Sequence, residues 1–65
     1  MAQGFIKTLT ARHFGFIRSE NDEELFFHAS SVRGATFDEL RESQEVSYIE
    51  QHGPKGRYAE NVKPV

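Results

Sequence analysis

The sequence contains no cysteine, so neither a disulfide framework nor a thiolate metal site can reinforce the fold. Its histidines, His13, His28 and His52, are too few and too scattered to form a metal set readable from the chain. No apolar run approaches the roughly 20 residues of a membrane span, and no signal-peptide pattern follows Met1. Excess positive charge is absent as well. The formal net charge is −2, which excludes a protein that holds nucleic acid by bulk charge alone. Gly53-Pro54-Lys55-Gly56 lacks the following helix that a phosphate-cradling loop needs. Ser30 and Ser31 come shortly after His28, but no third group orients them for nucleophilic catalysis. Repeats, low-complexity segments and linkers are missing. The expectation is a soluble, cytoplasmic protein that is not an enzyme, with no metal, no cofactor and no membrane partner. The 65 residues make one domain, 1–65, near the lower limit for an unassisted core, with stability of only about 3–5 kcal/mol.

What the sequence does have is phenylalanine, concentrated early. Five of its six phenylalanines lie between Phe5 and Phe27. Four of them fall in two short runs, Phe14-Gly15-Phe16-Ile17-Arg18 and Leu25-Phe26-Phe27-His28. A β-strand sorts alternate residues onto opposite faces. Paired as a hairpin across the polar Ser19–Glu24 connection, the two runs place Ile17, Leu25 and Phe27 on one face, a core. The other face collects Phe14, Phe16, Arg18, Phe26 and His28.

That second face has two readings. It could be a second hydrophobic core, as in a sandwich. However, the remaining large apolar residues are scattered singly, and most are needed over Ile17, Leu25 and Phe27. An uncovered aromatic patch beside cationic donors suits unstacked bases, each offering a π-face worth roughly 1–3 kcal/mol. Arginine adds cation–π and phosphate contacts. Lys7, Arg12 and Arg18 sit on or beside these strands, and Lys55 and Arg57 in a later Gly-rich turn. The acidic runs Glu20–Glu24 and Asp38–Glu45 read as solvated loops.

Arg12-His13-Phe14-Gly15-Phe16-Ile17 resembles the first ribonucleoprotein-type motif, and Leu25-Phe26-Phe27-His28 resembles the second. Followed by Gln44–Tyr48 and Ala59–Val62, they are similar to the bacterial cold-shock domain over nearly the whole chain, from Gly4 to Val65. The resemblance implies an all-β fold, a five-stranded antiparallel OB-fold barrel that grips single-stranded RNA or DNA. The chain also departs from the family. Thr8 stands where an aromatic usually stacks on a base, His13 where a glycine follows the basic residue, and Ala29 where another aromatic follows the histidine. Tyr58 stands where a polar residue is expected.

Along the chain, Gly4–Leu9 reads as the first strand with Ile6 inward, and Thr10–His13 as a short loop. Ser30–Gly34 reads as one helical turn closed by Gly34, with Val32 inward. Thr36 and Glu39 have capping-box spacing that could nucleate a short helix; the family resemblance implies a long ordered loop instead, which is favoured. Phe37 matches a family loop aromatic that contacts bases, or else anchors the loop on the core. Glu45–His52 is the fourth strand, with Val46 and Tyr48 inward and Ile49 either exposed or next to a bulge. Gly53–Gly56 is a turn, and Arg57–Val62 is the closing strand.

The expected function is binding of single-stranded RNA or DNA with low sequence selectivity, by a monomer. Phe14, Phe16, Phe26 and His28 would stack on bases, with Phe37 assisting and Tyr58 contributing. Lys7, Arg12, Arg18, Lys55 and Arg57 would hold phosphates. By resemblance the cellular role is RNA chaperoning, or control of transcription and translation in the cold. The rival is a protein-interaction barrel that uses the same aromatic face, favoured by the acidic balance and by Thr8 and Ala29.

Overall fold

The β2–β3 hairpin is built as its alternation dictates. In the computed structural model, which describes residues 2–65, β1 spans Ala2–Leu9, β2 Phe14–Ser19 and β3 Glu24–His28. β4 spans Glu45–Gly53 and β5 Gly56–Pro64. Phe14 is the ladder partner of His28, Phe16 of Phe26, and Ile17 of Leu25. Ladder partners share a face, so Ile17, Leu25 and Phe27 go inward, each at most 1% exposed, and the aromatic set goes outward. Gly15 is needed for space. A Cβ there would lie 2.6 Å from the Thr8 carbonyl oxygen and 2.9 Å from the Phe27 ring, so only glycine lets Phe27 lie across β2.

The strands close into a barrel in the order β1-β2-β3-β5-β4. Four junctions are antiparallel, but β3 and β5 run parallel, with Phe26 opposite Tyr58. The expectation of an antiparallel barrel is corrected at this seam. The reason is parity: directions cannot alternate all the way round a ring with an odd number of strands.

Two irregularities set which side chains face out. In β1, Ile6 pairs with Ile17 and Thr8 with Phe16, so Lys7 is an extra, bulged residue. Thr8 is thereby turned onto the outer face beside Phe16. Between β4 and β5, Ser47 pairs with Lys63 and Ile49 with Glu60. The extra residue is on β5, where Asn61 adopts φ 51°, and this shift lets both Ala59 and Val62 point inward. Ile49 is half-buried beside it.

The connection between β3 and β4 differs from the sequence reading in two places. The first turn is a 3₁₀ turn over Ala29–Ser31, not Ser30–Gly34. It stops where Val32 turns extended and bridges Val62, because burying that β-branched side chain takes precedence over another helical residue. Gly34 follows at φ 75° in a bend. The second is a 3₁₀ turn over Phe37–Glu39, so the capping-box spacing does form a short helical turn within the loop. The core comprises Ile6, Ile17, Leu25, Phe27, Val32, Leu40, Val46, Tyr48, Ala59 and Val62. No described helix is long and apolar enough to cross a membrane.

Phe27→Ala should therefore cost about 3–5 kcal/mol, most of the stability of a domain this small. Phe16→Ala, on the outer face, should cost clearly less. Chemical denaturation of the two variants checks the assignment; the reverse order would mean that the hairpin faces the other way.

Candidate nucleic-acid interface

The outer face of β2 and β3 carries a closed cluster of three rings. Phe14 and Phe26 lie 5.5 Å apart between centroids, tilted by 36°. Phe14–Phe16 and Phe16–Phe26 are edge-on contacts at 6.0 Å. These are favourable aromatic geometries, and they make the cluster stiff without covering it. Phe26 remains 40% exposed, and Phe14 and Phe16 are half-buried.

His28 extends this face from its place opposite Phe14. Its ring also caps the turn that follows: Nδ1 accepts a hydrogen bond from the Ser30 backbone N–H at 3.1 Å. An accepting Nδ1 carries no proton, which leaves Nε2–H as the ring's free donor. Of the two positions without aromatics, Thr8 sits beside Phe16 at the cluster's edge, and Ala29 directly follows His28 at the start of the next turn.

Phe37 is not part of that cluster. Its ring packs on Phe27 at 6.0 Å and on His13 at 5.9 Å, half-buried against the core. It thus fills the anchoring role of the two readings offered for it, with one side still open. His13 holds φ 65°, the left-handed conformation that explains why a glycine suits that position. Tyr58 is the ladder partner of Phe26 across the seam and lies outside the three-ring cluster.

The cations are less free than the sequence reading assumed. Lys7 pairs with Glu24, and Arg18 with Asp22 at 3.6 Å. Arg57 pairs with Glu23 and approaches Glu50 at 3.5 Å. The run Glu20–Glu24 is therefore not simply a solvated loop: its Asp22, Glu23 and Glu24 occupy three of the five expected phosphate-binding cations. Exposed pairs of this kind are worth only about 0–1 kcal/mol, so a polyanion can displace them. Among the described residues Arg12 and Lys55 make no ion pair.

Phe5 is absent from the expected set, yet it is 53% exposed and stands opposite Arg18 on the outer face. Alternation about the inward Ile6 was the signal that could have found it. Among the described residues no group of acidic or imidazole side chains is arranged to hold a metal ion.

The chain matches known proteins over most of its length. The family model of the 'Cold-shock' DNA-binding domain matches residues 2–65. The chain is 39% identical to cold shock protein CspC of Bacillus subtilis over 64 residues, 97% of either chain. It is 42% identical to the major cold shock protein of Micrococcus luteus over 64 residues, covering 95% of this chain and 96% of that one. Against the major cold shock protein CspA of Pseudomonas aeruginosa it is 42% identical over 55 residues, 85% of this chain and 80% of the relative.

The turn that carries Phe37 offers a pH test. The Glu39 carboxylate accepts hydrogen bonds from the Thr36 N–H at 2.8 Å and the Thr36 hydroxyl at 3.1 Å. These bonds, the backbone one foremost, hold its pKa below the usual carboxylate range. A lowered folded pKa means that the stabilisation is complete above the ordinary carboxylate pKa and is lost as pH falls through the lowered one. In an NMR titration the Glu39 carboxyl carbon should titrate at lower pH than the free-peptide value, and the Thr36 amide shift should follow it. An unshifted midpoint would show that the carboxylate does not hold this turn.

Proposed function

Because the chain belongs to the cold-shock DNA-binding domain family, whose members bind nucleic acid, we propose that it binds single-stranded RNA or DNA as a monomer, with low sequence selectivity. The observation that carries this reading is the stiff cluster of Phe14, Phe16 and Phe26, left partly open beside His28 on the outer face. Bases in a duplex are already stacked and cannot use such rings, whereas unpaired bases can, whatever their identity. Phe14, Phe16, Phe26 and His28 stack on bases, and Phe37 assists through its open side. Lys7, Arg12, Arg18, Lys55 and Arg57 hold phosphates, and Tyr58 extends the surface toward β5. RNA chaperoning, or control of transcription and translation in the cold, is the cellular role that fits a binder of this kind.

A second reading has one specific observation in its favour. With Lys7, Arg18 and Arg57 paired to loop acids, the aromatic face could instead bind an apolar protein surface. Salt separates the two. Nucleic-acid affinity falls steeply with salt because phosphate contacts release counterions, while an apolar contact barely responds.

An NMR shift titration with a short oligo-dT strand, repeated at several salt concentrations, tests the proposal directly. Shifts should concentrate on β2 and β3, and affinity should fall with salt. Phe16→Ala should weaken binding by roughly 1–3 kcal/mol, and Thr8→Trp, which restores a ring beside Phe16, should tighten it by up to about the same amount. No binding even by the Thr8→Trp variant would favour the protein-interaction reading.

The acidic loop makes a separate prediction. Glu23→Gln removes the closer of the two carboxylates on Arg57, leaving Glu50 at 3.5 Å, and should tighten binding by about 0.2–1 kcal/mol. It should also steepen the dependence of log affinity on log salt by up to about one unit. Glu42→Gln changes net charge equally without freeing a cation and serves as the control. Equal effects from the two variants would reduce the loop's role to long-range repulsion.

A further inference from the structure

Phe5 is 53% exposed, more than any ring of the three-ring cluster. Among the described residues it packs on no other ring. The buried Ile6 turns it outward by alternation, and its ladder partner on β2 is Arg18. Gly4 fixes that pairing. A Cβ there would collide with the Arg18 carbonyl oxygen, so glycine is what lets the two strands lie this close. On the other side of β1, the Ser43 N–H donates to the Ile6 carbonyl at 2.7 Å, and the Ile6 N–H donates to the Gln44 carbonyl at 2.9 Å. These bonds pin the loop before β4 against β1. The result is a groove of about 530 Å³ lined by Phe5, Ile6, Lys7, Arg18 and Ser43, within the roughly 300–1,000 Å³ of small-ligand sites.

We propose that this groove is an outer nucleotide subsite, in which one further unpaired base stacks on Phe5 and its phosphate lies on Arg18 and Lys7. The inference rests on the single-strand reading above and extends the strand's path beyond the three-ring cluster, along β1. Continuity is the first support. Arg18 follows Phe16 on the same face of β2, two residues on, a distance of about 7 Å. A strand leaving Phe16 in that direction therefore meets Arg18 and Phe5 next. Thr8, opposite Phe16, carries no ring to block the way.

Charge selects the occupant. Arg18 stands across the ladder from the Phe5 ring, and Lys7 borders the same groove. Asp22 and Glu24 hold these two cations only through exposed ion pairs, which are individually weak and which a phosphate can replace. An apolar protein surface seated on the same ring would instead bury both pairs, at a desolvation cost that no new partner repays.

Strand length is the readout. A dT tetramer should take the three-ring cluster, which offers more ring surface, and leave Phe5 empty, whereas a dT octamer should cover both. NMR shift titration of the full chain with each strand gives affinity and place together. The Phe5, Arg18 and Ser43 amides should shift with the octamer and stay nearly unmoved with the tetramer. Phe5→Ala should weaken octamer binding roughly five- to tenfold, the lower end of what one stacked base supplies, and change tetramer binding by less than about twofold. Phe5→Tyr keeps the ring and should bind the octamer within about twofold of the parent.

Affinities of Phe5→Ala that match the parent at both lengths, or fall equally at both, overturn the subsite, while tetramer shifts on β2 and β3 keep the platform. A contact between two copies of the chain is the other use for such a ring. If the parent's diffusion coefficient falls with protein concentration, and Phe5→Ala abolishes that without any length effect, the ring serves self-association and the proposal is wrong. Should Phe5→Ala fail to fold, the length dependence of the parent's amide shifts decides, together with Phe5→Leu, which keeps apolar bulk but has no π-face. If the parent binds neither strand, the single-strand reading fails and the subsite fails with it.

Discussion

A closed ring of five strands must contain at least one parallel neighbour pair, and the place where this chain puts that pair shapes everything else. The seam falls between β3 and β5, so the connection after β3 has to cross the end of the barrel before β4 can begin. That crossing contains the Ala29–Ser31 turn capped by His28 and the Phe37 turn held by Thr36 and Glu39. The same seam makes Tyr58 the neighbour of Phe26 although 32 residues separate them in sequence, a difference read directly from the ladder numbering. The candidate face is thus bounded on one side by a necessity of topology.

Within that frame, the outer face is a contest between aromatic surface and charge. The three-ring cluster gains rigidity from its own edge-on contacts, so little is lost in ordering it when a base arrives. The charges work the other way. Asp22 and Glu23 of the loop and Glu24 at the start of β3 reach Arg18, Arg57 and Lys7, placing carboxylates where phosphates would go. Each pair is exposed and individually weak. Together they balance cations on a face of an acidic protein, so a strand bound there would have to displace these carboxylates as its phosphates arrive.

How far the sequence reveals this depends on the range of the interaction. The two faces of the β2–β3 hairpin are legible because side-chain direction repeats every two residues and the strands are adjacent in sequence. The buried positions Ile6, Val32, Val46 and Tyr48 are legible for the same local reason. The antiparallel expectation failed at one junction because strand order is a property of the whole ring. The pairs Lys7–Glu24 and Arg57–Glu23 span 17 and 34 residues, and no local pattern encodes them. Lys7 is bulged, and that single extra residue in β1 turns Thr8 outward. The resemblance to cold-shock domains supplied the barrel itself, which alternation alone could not.

The departures from the family pattern gain a physical meaning once they are placed. Thr8 stands beside Phe16, so its small side chain narrows the aromatic cluster on the β1 side, while Ala29 opens the turn after His28. The aromatic surface is not simply smaller, however. Phe5 stands exposed opposite Arg18 on β1, and Tyr58 lies across the seam from Phe26. Both flank the cluster rather than join it, and each is next to an arginine that an acidic loop residue already holds, Arg18 by Asp22 and Arg57 by Glu23. The outer face thus carries a central three-ring cluster, separated flanking rings and internally balanced cations. Separated rings gain less from one another's presence than rings in contact, because each must order its own ligand segment. On the single-strand reading, such a chain would give up affinity per base and gain reach along the strand.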